Sequence, residues 1–411
     1  MMHPTDLDNS LRMEAVMDVL KRTSREKDLL DPSTPQFAAR NWITFEDSLH
    51  LEPQAIIFLQ RYVMAVLYFS TNGDGWQFCA RKKLASSSLT SADCIGSDGV
   101  VSYRHLSGTS ECNWYGIVCD EELLVITDIS IVGNGLSGEL HDELAELTYL
   151  KVLNLSRNNI EGRLPSYFDK THDLREINLA SNAFTGVIPS SLGIPNKLRT
   201  VAFNQNSLTG TIPGELFMSR TIRNLLLNGN NLEGDLPMEL FENTSLQQLH
   251  IGENKFGGTI SPLFGKLRKL QALFLPQSAF TGTLPGSIFS LSELAYLSIE
   301  GNHIEGEIPV ELFDGNVSLL FLDLENNQLG GSISSRFSEL TQLDFLALNG
   351  NFLTGTIPTS FEELSSLSNL RLQKNALHGS IEFLCARHNE FNSLEADCKE
   401  EISCSCCTTC H

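Results

Sequence analysis

The chain has 411 residues, 41% of them hydrophobic and 19% charged, a balance that suits a folded protein rather than a disordered one. Lys and Arg number 29 against 50 Asp and Glu, a net charge of −21, and there is no run of four basic residues. This argues against nucleic acid or an anionic membrane surface as the main partner, because phosphate recognition needs a basic stripe.

Residues 1–52 read as an N-terminal extension. Ser10 to Arg22 has the pattern of an amphipathic helix, with Leu11, Val16, Val19 and Leu20 on one side. Asp31 to Pro35 is a turn, and Phe37 to Trp42 a short helix. The start of the chain lacks the apolar core of a signal peptide. The extension is expected to dock on the helix that follows; the alternative is a juxtamembrane piece whose anchor lies upstream. Residues 53–122 read as a cap. Pro53 to Phe69 predicts a helix with Pro53 in its first turn, and Ile56, Leu59, Tyr62, Val63, Val66 and Leu67 recur at helical spacing. The turn Thr71 to Gly75 ends it. A polar, Ser-rich stretch from Phe78 to Glu111 holds Cys79 and Cys94 and reads as an inserted loop, closed by its own disulfide. The motif Cys112-Asn-Trp114-Tyr-Gly116-Ile-Val-Cys119 follows.

Residues 123–382 are an array. Asn134, Asn158, Asn182, Asn206, Asn230, Asn254, Ser278, Asn302, Asn327, Asn351 and Asn375 recur every 24 residues, with one step of 25. Eleven units share the pattern L-x-L-x-x-N-x-L-x-G-x-[IL]-P, as in Leu153-x-Leu155-x-x-Asn158-x-Ile160-x-Gly162-x-Leu164-Pro165. Two leucines two apart face one side of a short strand. The Asn side chain at the following turn can satisfy buried backbone groups, so stacked units should carry an Asn ladder. Ser278 cannot replace that amide fully, and a local weak point or a bound water is expected there. The Pro is expected to keep the next stretch out of a backbone ladder.

This consensus, with its G-x-I-P ending, resembles that of plant-type leucine-rich repeats. The Cys112–Cys119 motif is similar to the N-terminal cap of that family, with Ile117 where Val is usual. The resemblance implies an α/β solenoid: a right-handed superhelix with a parallel sheet on the concave side and 3₁₀ or irregular segments on the convex side. It also implies that Cys112 pairs with Cys119.

Residues 383–411 carry Cys385, Cys398, Cys404, Cys406, Cys407 and Cys410. A disulfide-stapled C-terminal cap is the expectation. A zinc site on Cys404, Cys406, Cys407 and Cys410 is the alternative, although the spacing is not that of structural zinc sites. Free or palmitoylated thiols are a third. Ten cysteines, four before the array and six after, suit an oxidising compartment. Asn154, Asn243 and Asn316 stand in N-x-[ST] sequons and are candidate glycosylation sites.

Catalytic motifs are missing: no G-x-S-x-G, H-E-x-x-H, P-loop or kinase signature occurs, so the chain reads as non-enzymatic and without a cofactor. Gly133-Asn-Gly135-Leu-Ser-Gly138 matches G-x-G-x-x-G, but the next strand does not end in the acidic residue a dinucleotide site needs, and the three positions are in repeat register. His250 and His303 read as surface residues. The outward positions of the strands form two columns. Tyr296, Phe321 and Phe345 are consecutive in the first, and Phe274 lies close by in the second. Glu300, Asp323 and Glu325 surround them, with Arg371 toward the C-terminal edge. An exposed aromatic patch of this kind marks a contact site unless the rings merely stack on one another. Its acidic rim favours a ligand that carries positive charge or hydroxyls beside an apolar part. The expected function is a recognition scaffold, receptor-like or defensive and extracellular or at the cell surface, with a protein, peptide or glycan ligand and a membrane-anchored co-receptor. An inhibitor of secreted hydrolases and an intracellular adaptor are the alternatives.

Overall fold

The computed structural model describes residues 4–80, 93–97, 99–166, 168–314, 318–398 and 401–411. The chain forms two compact units, Met1–Thr209 and Gly210–His411. Among the described residues no helix is long and apolar enough to cross a membrane.

The first unit opens with α1 (Pro4–Leu20), α2 (Glu26–Leu30) and α3 (Pro35–Asn41), the last continuing into a turn of π-helix at Trp42–Glu46. Pro35 opens α3, and the Thr34 hydroxyl caps it by accepting from the Phe37 N–H at 3.2 Å. Val16 and Leu20 of α1 are buried, but Leu11 is exposed, so the expected stripe holds only in part. Arg12 ties α1 down by donating to the carbonyls of Ile43, Thr44 and Leu51.

The cap helix α4 runs Ile56–Ser70 and begins three residues later than expected, with Pro53 in the preceding turn. Its burial is not the predicted stripe. Ile56 is 71% exposed, whereas Tyr62 to Tyr68 are buried without a break. The reason is that α3 packs against α4, so the helix is covered on more than one side. Arg61, on α4, is fully buried and spends all five of its donors. Two form a fork on Asp47 at 2.8 and 2.7 Å. The other three reach the Ser107 and Thr109 carbonyls at 2.8 Å each and Glu111 at 3.2 Å. The guanidinium lies 5.1 Å from the Trp42 ring and 4.8 Å from that of Trp114. One cation thus joins the extension, α4 and the loop before Cys112. Removing it strands two buried carboxylates, so Arg61→Met is expected to cost about 3–5 kcal/mol. Urea unfolding measures the loss, and limited proteolysis should find residues 1–50 newly cleavable; an unchanged protection pattern would show that the extension is held by other means.

Cys79 pairs with Cys94 and Cys112 with Cys119, as expected. Strand Ile117–Cys119 runs antiparallel to Ile126–Ser130, and from there the strands are parallel: Val152–Asn154, Glu176–Asn178 and Thr200–Ala202. The second unit repeats the pattern from Asn224–Leu226 through Asn369–Arg371 and ends on Ser393–Ala396 and Thr409–Cys410. The inward residues Leu153, Ile177 and Val201 in the first unit, and Leu225 to Leu394 in the second, have no exposed surface. Each unit is therefore an α/β solenoid of leucine-rich coils, with 3₁₀ turns opposite the sheet. On that opposite side Phe313 meets Phe337 edge to face and Phe337 tilts against Phe361, with centroids 5.1 and 5.7 Å apart.

A second parallel sheet was not expected. The stretches after each Asn pair with one another, for example Ser137–Glu139 with Asn159–Arg163, and Lys255–Thr259 with Ala279–Thr283. The Pro lies beyond these strands and leaves their N–H groups free to pair. Gly138, at φ 112°, shows why a residue of G-x-G-x-x-G is glycine here: a Cβ would sit 2.2 Å from the Ser70 carbonyl oxygen at the end of α4.

The Asn ladder forms as predicted. Asn158 donates to the carbonyls of Ile131, Leu155 and Ser156 and accepts from the N–H groups of Asn134 and Leu136. In the second unit Asn351 donates to Leu324, Leu348 and Asn349 and accepts from Leu329. The caps close the ladder: Phe78 exchanges two hydrogen bonds with the Asn134 amide, and Asp397 accepts from the Asn375 N–H at 3.4 Å. At the exceptional rung the Ser278 hydroxyl reaches only the Pro276 carbonyl, at 3.4 Å.

At the C-terminal end Cys385 pairs with Cys406, Cys398 with Cys410 and Cys404 with Cys407. The sulfurs of Cys385, Cys404 and Cys406 lie within 4.8 Å of one another, but each is half of a disulfide and is not the thiolate that zinc takes. Asn351→Ala should cost about 2–4 kcal/mol, because it leaves buried backbone groups unpaired, while Ser278→Asn should add about 1 kcal/mol by completing a rung. Urea unfolding of both variants tests the ladder, and a neutral Asn351→Ala would refute it.

Candidate functional site

The strand register of the second unit assembles the predicted patch on one sheet face. The first column runs Asn224, Gln248, Ala272, Tyr296, Phe321, Phe345, Asn369, and the second Leu226, His250, Phe274, Ser298, Asp323, Ala347, Arg371. Parallel in-register pairing puts like positions on neighbouring strands about 4.8 Å apart, so side chains can stack along a column.

The stack is not the one the column order suggests. Phe321 and Phe345 lie face to face, with centroids 4.4 Å apart and planes 14° apart. Phe274 reaches diagonally across to Phe321 at 6.3 Å, and His250 tilts onto Phe274 at 4.5 Å. Tyr296, although consecutive in the column, forms no ring pair with Phe321 among the described residues and stands 43% exposed. The ordered run is therefore His250, Phe274, Phe321, Phe345, ending where the Arg371 guanidinium lies 5.3 Å from the Phe345 ring. His250 was read as an ordinary surface residue; it belongs to the run, and burial lowers its pKa.

Small and polar side chains lie beside the rings on the same face. Ser298, Asp323 and Ala347 are buried in the second column. A third column, one residue beyond each second strand leucine, holds Glu300, Glu325, Asn349 and Gln373. Arg371 is 3.7 Å from Glu325 and 3.6 Å from Glu395. Asp323 accepts one hydrogen bond, from the Glu325 N–H at 3.1 Å. Burial pushes its pKa up to about 7, and the charges of Glu325 and Glu300 add to the effect, against that hydrogen bond and Arg371. Sequence reasoning missed Asn349 and Gln373, which share the third column with Glu300 and Glu325 but lie beyond the strands, and Glu395, on the strand Ser393–Ala396 past the last repeat.

The sequons fare differently. Asn154 sits on the sheet face of the first unit, its side-chain Oδ1 accepting from the Ser156 N–H and hydroxyl. Asn243 is fully buried, and its amide nitrogen donates to the Ile222 carbonyl at 2.9 Å. The atom that would carry the glycan is inside the core, which corrects the expectation for Asn243. Asn316 lies outside the described residues.

Because the folded-state pKa of Asp323 is raised, the protonated carboxyl favours folding below about pH 4, and that contribution is lost as pH rises through 7. Asp323→Asn should therefore leave stability unchanged near pH 4 and raise it by about 1–2 kcal/mol at pH 8. Thermal unfolding across that range is the check; equal effects at both ends would show that the carboxyl titrates normally.

The Leucine Rich Repeat family model matches residues 149–170, 173–193, 245–267 and 318–340. The receptor kinase HAESA ectodomain of Arabidopsis, solved with a peptide hormone ligand, is 29% identical with a TM-score of 0.64, and the match covers 71% of this chain and 48% of that one. The plant peptide hormone receptor RGFR1, solved in complex with RGF2, is 35% identical with a TM-score of 0.60, and the match covers 62% of this chain and 41% of that one. A putative leucine-rich repeat receptor-like serine/threonine-protein kinase of Arabidopsis thaliana is 44% identical over 46 residues, which are 11% of this chain and 5% of the relative. The chain thus spans less than half the length of each of these proteins. With its eleven-unit consensus, its paired parallel sheets and these likenesses, the chain carries leucine-rich repeats and is similar to plant-type leucine-rich repeat ectodomains.

Proposed function

We propose that the second unit's sheet face, the concave side of a plant-type repeat array, is the ligand-binding surface of a non-enzymatic, receptor-like scaffold outside the cytosol. The observation that carries this reading is the aromatic run from His250 to Phe345 on a face whose other positions are mostly small or polar. Rings held in a stack by the strands beneath them lose little freedom on contact, so binding costs little ordering entropy. Peptide, protein and glycan ligands all fit an apolar ridge with charged flanks. HAESA was solved with the hormone IDA and the co-receptor SERK1, and RGFR1 with RGF2. These precedents favour a secreted peptide and a membrane-anchored co-receptor here. The five disulfides favour an oxidising compartment and speak against an intracellular adaptor.

The test is selection of a random peptide library on the immobilised full chain, repeated on Phe321→Ala/Phe345→Ala. The double change should reduce capture by the selected peptides at least tenfold, a loss of about 1.4 kcal/mol or more, while circular dichroism and the melting midpoint show the fold retained. Undiminished capture by the folded variant would overturn the proposal.

A further inference from the structure

We propose that the polar ground beside the Phe321–Phe345 stack is a subsite for one cationic side chain of the ligand, a guanidinium in preference to an ammonium. This rests on the sheet face being the binding surface.

Two buried acceptors just past neighbouring strands lack partners. Asn349 and Gln373 are each 7% exposed, and neither the Asn349 Oδ1 nor the Gln373 Oε1 has a hydrogen-bond partner. They are neighbours in the third column, with Glu325 next in line. Gln373 turns its amide nitrogen to Glu395 at 2.8 Å, so its oxygen is the end left without a partner. An unpaired buried acceptor is costly, and few native groups are left so without a reason.

The charges around these oxygens have one sign in excess. Glu300, Glu325 and Glu395, joined by Asp323 when it is ionised, face Arg371 and the His411 ring, which lies 3.4 Å from Glu395; at 3.7 and 3.6 Å the guanidinium is in ion-pair contact with Glu325 and Glu395 rather than forked on either. Glu300 accepts from Gln277 and Glu325 from Asn326, each through a single oxygen. The ground therefore offers acceptors and negative charge, while the adjacent ring faces attract cations. A guanidinium has five donors, no acceptor and a flat face that stacks on aromatic rings, and so answers both halves of the site. An ammonium matches the charge but neither the row of acceptors nor the stack as well.

The test uses the peptides selected on the full chain. Those that depend on Phe321 and Phe345 should carry Arg more often than Lys, close to an aromatic or aliphatic residue. Replacing that Arg by citrulline, its neutral near-isostere, should weaken binding at least tenfold on the native chain. On Glu300→Gln/Glu325→Gln, with the fold checked by thermal unfolding, the Arg and citrulline peptides should bind alike. Peptides that need the two Phe residues but bind equally with Arg or citrulline would overturn the cationic subsite and leave the sheet face standing. Enrichment of acidic residues or free carboxylates, with loss of binding in Arg371→Gln, would overturn it in favour of an anion. Indifference to the Phe and Glu changes alike, or no capture at all, would remove the binding face and the subsite together.

Discussion

The interior of every coil but the one at Ser278 is held by an amide. A repeat of 24 residues turns back on itself so tightly that carbonyl and N–H groups at the turn are buried where no strand can pair them. The Asn side chain presents donors and an acceptor together, and it bonds its own coil and the preceding one at once, as Asn158 and Asn351 do. The leucines supply the apolar burial, the paired strands set the spacing at which coils stack, and the ladder satisfies the turns between them. The ends obey the same rule, since Phe78 and Asp397 stand in for the coils that are missing there.

The site inherits its geometry from that spacing. In-register strands hold side chains at one repeat distance, close to what two aromatic rings need to stack, and Phe321 and Phe345 meet face to face at 4.4 Å. The same spacing lines up carboxylates and amides that would be scattered on an irregular surface. Asp323 bears the consequence: burial beside the rings, with Glu325 and Glu300 nearby, pushes its carboxyl pKa up to about 7. The aromatic run stands on paired strands while polar groups beside it remain incompletely paired.

At the N-terminal end the chemistry is different. A cap must cover one exposed face of the first coil, and α4 does so. It is enclosed in turn by the extension and held by Arg61, whose two carboxylate partners come from distant stretches of chain. A buried ion pair of this sort is a poor source of stability compared with apolar packing, yet breaking it is costly, so it fixes one arrangement of the three segments.

The repeat, the strand register, the Asn ladder and the exceptional rung at Ser278 were legible in the sequence, because each depends on periods of 2 and 24 that a linear chain displays directly. The two side-chain columns followed from the same periods, and with them the placement of Phe274, Phe321 and Phe345. What depends on contact between stretches without a period was hidden. The burial of Arg61, the second sheet, the enclosure of Asn243 and the partners of six closely set cysteines follow from how segments fold back on one another. So does the direction in which each ring leans: the columns allowed Tyr296 to stack on Phe321, and only packing in three dimensions turned Phe274 onto it instead. Local spacing determines which groups can meet, and the competition of all neighbours for the same space determines which of them do.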